Sequence, residues 1–353
     1  MLQHNDKLKH MQKILIIRRD NIGDLVCTTP LIQSLRQQSP LARIDILVNS
    51  YNLAVVSDNP DLDQVYAYTK AKHKDSNQSS GWIYWQRLRL YWQLFGNRYD
   101  YVILADTTFS GRALSMARLM RPKHIIGFAP SGRPAKGLDI PICPAAADLH
   151  AVEQLAALLQ PFNINGHPPK LKLAPQAHQL QQACRDLKDF LASNADKPLI
   201  GFHISARKPS QRWQTEKFIA LAQQLHLEHE ARILLFWSPG DENNPRHPGD
   251  DQKARAIIEG CRHLPLHAFA THHLTQLIAG LSLVDQLICS DGGAMHIAAG
   301  LGKSIICFFG QSNLSQWHPW GVPYIALQPK SQLVADIQIC EVIDAYNRLN
   351  QSI

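Results

Sequence analysis

The chain has 353 residues, of which 45% are hydrophobic and 18% charged, a composition typical of globular proteins with two or three domains. No apolar run reaches the roughly 18 residues of a membrane span, and the polar first residues lack the apolar segment of a signal peptide. The net charge of +7 suits an anionic partner such as nucleic acid, lipid or a phosphorylated substrate, although no nucleic-acid motif is present. The seven scattered cysteines, without a C-x-x-C pair, predict free thiols in a reducing compartment and no metal site.

The first half of the chain alternates between strand and helix patterns. Apolar runs predict strands at 13–18, 44–48, 65–68, 99–105 and 124–128. Amphipathic patterns and caps predict a kinked helix from Gly23 to residue 37, with further helices at 51–56, 110–120 and, capped by Asp148, 148–160. This order is typical of a doubly wound parallel sheet.

A basic, aromatic helix is predicted at 82–95, where three tryptophans, two tyrosines and a phenylalanine accompany Arg87 and Arg89. Two interpretations remain open. The helix either lies on a membrane surface or packs one apolar face on the sheet and leaves its arginines in solvent.

A second α/β series follows a proline-rich linker and a helix at 179–192. It contains predicted strands at 199–204 and 232–237, helices at 215–227, 253–259 and 272–283, and then the stretch from Leu287 to Gly310. That stretch predicts a strand, a glycine turn, a short helix and another strand. A final amphipathic helix is predicted at 333–349. Two such halves bind ligands at the carboxyl ends of their strands, in the cleft between them.

Asp24 is the strongest candidate for chemistry. It lies in the turn after the first strand, at a helix N-terminus that favours its anion, and could therefore accept a proton. The alternative is an N-cap carboxylate without chemistry.

Cations and glycines in the second half suit a diphosphate. Arg207, Lys208 and Arg212 crowd the loop that follows Ser205, although solvated surface cations are the alternative. The Asp291-Gly292-Gly293 turn feeds a helix N-terminus with free N–H groups, or is an ordinary βαβ turn. His296 could neutralise phosphate or orient Asp291; the alternative is a histidine that packs in the core. Asp241 and Glu242 either bind ribose or lie in an exposed loop.

Three segments together resemble one family. Residues 14–32, ILIIRRDNIGDLVCTTPLI, resemble the opening signature of glycosyltransferase family 9, the lipopolysaccharide heptosyltransferases. Residues 290–303, SDGGAMHIAAGLGK, resemble its second signature, and Arg212-Trp213 resembles its Lys/Arg-Trp-Pro element. The order and spacing also match, so that the resemblance covers essentially the whole chain. Two departures are Gly292 in place of threonine and Gln214 in place of proline.

The resemblance implies the GT-B architecture, two Rossmann-like doubly wound domains facing across a cleft. It implies an N-terminal acceptor-binding domain at 1–165, a linker and helix at 166–197, a nucleotide-sugar-binding domain at 198–332, and a C-terminal helix at 333–353 returning to the N-terminal domain. It also implies a metal-independent, inverting transfer of heptose from ADP-heptose to the lipid A–Kdo inner core or its heptosylated form. The enzyme would be cytoplasmic, or peripheral at the cytoplasmic face of the inner membrane.

Residue roles carry over with the resemblance. Asp24 would be the general base, and Arg212 would stabilise the departing diphosphate. The resemblance would also make Ser205, Glu242, Asp291, Gly292 and Gly293 donor contacts. Arg207, Lys208 and His296 are further donor-binding candidates from their positions in the sequence. Candidate acceptor contacts are basic residues of the first half: Arg112, Arg118, Arg121, Arg133 and Lys136. The competing hypotheses are another GT-B enzyme with a different nucleotide sugar, and a member that binds nucleotide sugar or lipopolysaccharide without turnover.

Overall fold

The computed structural model describes residues 12–68, 80–132, 134–144, 146, 148–244 and 248–351, without the side chains of 80–84, 86 and 87. The chain divides into two compact units, Met1–Pro169 and Lys170–Ile353. Each unit contains one six-stranded parallel sheet. The predicted α/β class with two doubly wound sheets is confirmed.

The sheet of the first unit has the strand order β3-β2-β1-β4-β5-β6. Its strands are β1 (Lys13–Ile17), β2 (Arg43–Asn49), β3 (Gln64–Tyr68), β4 (Tyr101–Leu104), β5 (His124–Phe128) and β6 (Ile140–Ile142). Its helices are α1 (Ile22–Val26), α2 (Thr29–Gln38), α3 (Ser80–Gly96), α4 (Gly111–Leu119) and α5 (Ala151–Ala156), with 3₁₀ turns at Ser50–Val55 and Ala157–Phe162. The order reverses between β1 and β4, which makes the carboxyl ends of these two strands the expected ligand-binding edge.

The sheet of the second unit has the order β12-β11-β10-β7-β8-β9. Its strands are β7 (Leu199–His203), β8 (Arg232–Trp237), β9 (Leu266–Ala270), β10 (Gln286–Ser290), β11 (Ser304–Phe308) and β12 (Tyr324–Leu327). Its helices are α6 (Ala177–Asp186), α7 (Lys188–Ala192), α8 (Thr215–His229), α9 (Asp251–Gly260), α10 (Leu274–Leu283), α11 (Gly293–Gly300), α12 (Leu314–Trp317) and α13 (Ile339–Gln351). Short 3₁₀ turns occur at Pro209–Gln211 and Val334–Asp336.

The strands that sequence analysis missed lie at sheet edges, although one edge strand, β3, is predicted at 65–68. The central strands β1, β8 and β10 are almost entirely buried, which is why their apolar runs are visible in the sequence. The strands β6, β9 and β12 each lie at an edge of a sheet, and β9 and β12 are only half-buried along their length. A strand that is not covered on both faces needs no continuous apolar run, so the sequences of these three strands resemble those of loops.

The predicted kinked helix after β1 is two helices. Pro30 has no N–H to donate to the carbonyl of Val26, and its ring crowds the preceding turn. The chain therefore ends α1 at Val26 and begins α2 at Thr29. The hydroxyl of Thr29 donates to the Val26 carbonyl at 2.8 Å and compensates for the missing bond. The break leaves Asp24 on a short helix of its own, directly after the strand.

The helix predicted at 148–160 is also different. Its cap is His150 instead of Asp148, because the imidazole accepts the N–H of Val152 at 3.1 Å and Glu153 accepts the N–H of His150 at 3.0 Å. This reciprocal pair is a capping box. The α-helix ends at Ala156 and continues as a 3₁₀ turn that contains Pro161.

The C-terminal helix α13 packs within the second unit. Its buried residues, Val342, Ile343, Ala345, Tyr346 and Leu349, belong to the hydrophobic core that β7, β8 and α8 also form. Contact of this helix with the first unit stays a prediction. An amphipathic pattern predicts that one face of a helix is buried, but it does not say which sheet covers that face. The helix α6, predicted as part of a linker segment, packs on α10 in the same unit.

The aromatic helix α3 packs one face on the sheet, as one of the two interpretations expected, and contact with a membrane stays a prediction. Leu90 and Leu94 are buried in the core of the first unit, so one face packs on the sheet. An opposite stripe, Trp85, Leu88, Trp92 and Phe95, is exposed to solvent. Within the described residues, no helix has the length and apolarity required to cross a membrane.

All seven cysteines are free thiols, as the sequence predicts. Four of them are buried, and burial raises the pKa of the Cys261 thiol to about 11 and that of Cys27 to about 12. Cys143, Cys184 and Cys340 are exposed.

Candidate active site

Two segments at one edge of the second sheet carry most of the predicted donor residues. They are the loop at 204–214, which follows β7, and the turn at 291–292, which follows β10. These strands pair directly, with Cys289 opposite His203. The two segments therefore leave the sheet side by side, at the point where the strand order reverses and where such sheets bind ligands.

Gln211 joins the two segments. Its side-chain amide donates to Asp291 Oδ2 at 2.9 Å and to Ser312 Oγ at 2.9 Å. Its carbonyl accepts the Ser290 hydroxyl at 2.7 Å. The carboxylate of Asp291 is thus held in place by a residue 80 positions earlier in the chain. Sequence analysis missed Gln211, and its position directly before Arg212-Trp213 is the signal that could have identified it.

The loop at 204–214 orients Arg212 and Ser205 in different ways. The Nε of Arg212 donates to the carbonyl of Ala206 at 3.0 Å, which folds the loop back on itself. The hydroxyl of Ser205 accepts the N–H of Ser238 at 2.9 Å and joins the loop to the end of β8. Arg207 and Lys208 are exposed, as expected for cations that either meet an anionic ligand or are solvated.

Trp213 anchors the loop in the core. It is 2% exposed, its Nε1 donates to the carbonyl of Ile337 at 3.0 Å, and its ring contacts Phe218 and Phe308. Because Arg212 directly precedes this fixed side chain, its backbone position is fixed as well. The next residue, Gln214, has a φ of −70°, a value that proline also adopts. The departure from the family pattern at this position therefore leaves the backbone unchanged.

A second residue that sequence analysis missed is Lys253. Its Nζ donates to the carbonyl of Ile204 at 3.1 Å and to that of Trp213 at 2.8 Å, so that one ammonium group ties both ends of the loop together. It also lies over the ring of Phe218, at 4.9 Å from the centroid. Burial lowers the pKa of Lys253 to about 8. A lysine in the first turn of a helix gives no sequence signal for such a role.

The turn after β10 presents a helix N-terminus. The N–H of Asp291 donates to the carbonyl of Phe308 at 2.8 Å, and α11 begins two residues later at Gly293. Gly292 has an extended backbone, and a Cβ added to it would meet no atom within 4 Å. The backbone therefore accepts threonine at this position, so the glycine removes a hydroxyl without any steric need.

His296 and Glu242 have contrasting surroundings. His296 is buried, and its ring packs edge-on against Trp317 with centroids 6.0 Å apart. This burial favours the core-packing interpretation over direct contact with phosphate. Glu242 is exposed in the turn after β8, as is Asp241. Their predicted contact with ribose stays a prediction.

Asp24 lies at the corresponding edge of the first sheet. Its Oδ1 accepts Arg18 Nη2 at 2.8 Å. Its Oδ2 accepts the backbone N–H of Asn21 at 3.2 Å and the Asn21 side-chain amide at 3.0 Å. The carboxylate is therefore both a capping-box acceptor and the partner of a buried guanidinium. The structural role that sequence analysis kept as an alternative is present, and it is compatible with proton transfer because the Asp24 side chain is 15% exposed.

The predicted acceptor residues are scattered at the surface of the first unit. Arg112 lies exposed on α4, and Lys136 is exposed in the segment that follows β5, where its carbonyl accepts Arg118 Nη2 at 3.2 Å. Arg121 lies over the ring of Phe95, with 5.9 Å from the guanidinium carbon to the centroid. Arg133 lies outside the described residues. Acceptor contact stays a prediction for all of them.

Comparisons with known proteins agree with this arrangement. The model of glycosyltransferase family 9 (heptosyltransferase) matches residues 87–341. Lipopolysaccharide heptosyltransferase 3 of Escherichia coli is 22% identical over 302 residues, which cover 84% of this chain and 83% of that protein.

Two solved structures share the fold. A family 9 glycosyltransferase of Veillonella parvula superposes with a TM-score of 0.79 at 17% identity, covering 98% of this chain and 99% of the other. The ADP-heptose lipopolysaccharide heptosyltransferase II of E. coli has a TM-score of 0.75 at 19% identity, with 97% and 99% covered. The architecture of this chain is thus that of the GT-B enzymes.

Proposed function

Because the chain belongs to glycosyltransferase family 9, the heptosyltransferases, we propose that it transfers heptose from ADP-heptose to the inner core of lipopolysaccharide. The acceptor is lipid A–Kdo or its heptosylated form. The observation that carries the proposal is the Gln211–Asp291 hydrogen bond, which holds the Arg212 loop beside the N-terminus of α11. A cation and free helix N–H groups side by side suit the diphosphate of a nucleotide sugar.

The proposed reaction is a single displacement without a metal ion. Asp24 accepts the proton of an acceptor hydroxyl, whose oxygen attacks the anomeric carbon of the heptose on the face opposite to ADP. The bond from that carbon to the diphosphate oxygen breaks, which inverts the configuration. Arg212 and the N–H groups at the start of α11 stabilise the charge that develops on ADP, usually the largest contribution to catalysis in such reactions.

A transfer assay with ADP-heptose and defined truncated lipopolysaccharides tests the proposal. We expect turnover with ADP-heptose, and the same rate within about twofold in excess EDTA, because protein cations replace the metal as the electrophile. Matched reactions with UDP-sugars are the control. Turnover with a UDP-sugar alone would contradict the proposed donor, and donor binding without any turnover would identify a non-catalytic member. Activity that EDTA removes and Mg²⁺ restores would contradict the metal-independent mechanism.

We further propose that the first unit binds the cytoplasmic face of the inner membrane, where its acceptor is anchored. The support is the exposed stripe of α3, in which Trp92 is 78% exposed. Arg89 lies over the ring of Trp85, at 5.9 Å from the centroid, and α3 contains no acidic residue. Tryptophan and leucine with neighbouring arginines are typical of helices that lie in the interface of anionic bilayers.

Replacing Leu88 and Trp92 together with glutamine is expected to reduce cosedimentation with phosphatidylglycerol vesicles on the order of tenfold, because two apolar side chains no longer enter the interface. Leu227, a leucine on α8 that is 84% exposed, offers the matched control, and L227Q should bind as the unmodified chain does. Equal binding by all three proteins would contradict the role of α3. If the double variant still binds vesicles but no longer forms a dimer that the unmodified chain forms, the exposed stripe is an interface between two copies of the chain.

A further inference from the structure

Two carboxylates lie within ion-pair distance of one buried guanidinium at the carboxyl end of β1, and a third, that of Asp106, follows the neighbouring strand β4. Arg18 is 1% exposed, and its Nη2 contacts Asp24 Oδ1 at 2.8 Å while its Nη1 lies 3.9 Å from Asp20 Oδ2. The Nη1 also donates to the carbonyl of Ala105, the residue before Asp106. The strands β1 and β4 are neighbours in the sheet, which is why these groups converge although Asp24 and Asp106 are far apart in the chain.

Asp106 is the least accessible carboxylate of this group. It is 8% exposed, and its Oδ2 has no hydrogen-bond partner in the described part of the chain. The groups that face it are the carboxylate of Asp20, the guanidinium of Arg18 and the hydroxyl of Ser110 at the start of α4. Burial, and then the hydrogen bond and the charge of Asp20, raise the pKa of Asp106 to about 7. Two carboxyl groups in contact hold one proton between them, because both cannot be ionised at low cost.

The charge of this pair changes the surroundings of Arg18. While the pair holds a proton, it carries one negative charge, and Arg18 is free to bind Asp24. When the proton leaves, two negative charges attract the same guanidinium. Arg18 Nε is a buried donor without a partner in the described residues, so the guanidinium has unused hydrogen-bonding capacity for such a rearrangement. When Arg18 binds Asp24 less tightly, the negative charge of the Asp24 carboxylate is less stabilised, and the carboxylate accepts a proton more readily.

We propose that Asp106 is a positioning residue for proton transfer: together with Asp20 it competes with Asp24 for Arg18, and the charge of the Asp20–Asp106 pair sets how readily Asp24 accepts a proton. This inference rests on the proposed role of Asp24 as the general base. Asp106 itself touches neither substrate nor reacting atoms in this scheme.

The expected pH dependence has a definite sign. As the pH rises through the pKa of Asp106, raised to about 7 by burial and by Asp20, the pair loses its proton and attracts Arg18 more strongly, so that Arg18 binds Asp24 less tightly. We therefore expect kcat to rise by roughly three- to tenfold through neutral pH, the size of a unit charge acting through a partly screened site. D106N mimics the protonated pair and should keep the low-pH rate at every pH. The donor KM should not change.

The test combines kcat profiles with carboxyl ¹³C NMR on the full chain labelled at aspartate, with the Asp24 resonance assigned by its absence in D24N. The Asp24 chemical shift should show a step near neutral pH that disappears in D106N and returns in D106E. D58N, which removes an exposed carboxylate elsewhere in the first unit, is the control and should keep the step. D106N should remain folded at pH 8, because it removes a buried charge.

The outcomes separate the inference from the proposed function. If D106N still shows the pH-dependent step in kcat and in the Asp24 resonance, the inference is wrong, even though the chain is then an active heptosyltransferase. If the chain transfers no heptose, the NMR step still reports whether Asp106 controls Asp24. An Asp24 resonance without any step near neutral pH in the unmodified chain would also overturn the inference.

Discussion

Replacing Asp24 with asparagine is expected to lower kcat for heptose transfer by about 10²- to 10⁴-fold, the range that a general base contributes. Asparagine has the shape of aspartate but cannot accept the proton of the acceptor hydroxyl. Affinity for ADP should not change, because the residues that we assign to the donor lie in the second unit. The measurements are single-turnover transfer rates and ADP titration calorimetry.

The chain offers a matched control for the structural role of Asp24. Glu153 occupies the same position in a second capping box, where it accepts the N–H of His150 at 3.0 Å. E153Q should lose a comparable capping contribution of about 1 kcal/mol but keep its kcat. If D24N and E153Q both reduce the melting temperature and both retain activity, Asp24 is a cap without chemistry. Loss of ADP binding in D24N would instead indicate a general defect in folding.

Replacing Arg212 with methionine is expected to lower kcat by roughly 10²- to 10³-fold, the typical effect of removing one preorganised donor from a site of developing negative charge. Methionine retains much of the apolar stem and removes the charge. The backbone should stay in place, because Trp213 holds the loop in the core. The kcat of R212K should lie between that of R212M and that of the unmodified chain. Lysine restores the positive charge but lacks the several N–H donors of the planar guanidinium.

Arg207 is the matched control for Arg212. It is a cation of the same loop but is exposed, so R207M should change kcat by less than about threefold. Pre-steady-state release of ADP distinguishes an effect on the chemical step from an effect on binding. Equal losses in R207M and R212M would indicate that the loop attracts the donor by its total charge. No loss in R212M would remove Arg212 from the catalytic group.

The candidate site illustrates what sequence patterns can and cannot identify. The sequence indicates Asp24 and Asp291 as candidates because each lies in a turn directly after a buried strand, which is a local feature. Gln211, Lys253 and Asp106 were missed as site residues because their roles depend on partners distant in the chain. Gln211 meets Asp291 across 80 positions, and Lys253 reaches Ile204 across 49.

Sequence alone determined the fold class, the central strands of both sheets and the family. Strands such as β1 and β10 are buried on both faces, and burial of that kind requires an uninterrupted apolar run. Tertiary structure alone decided the edge strands β6, β9 and β12, the sheet on which α13 packs and the convergence of carboxylates near Arg18. These features depend on which elements become neighbours, and neighbours are set by packing and strand order, which a local pattern does not encode.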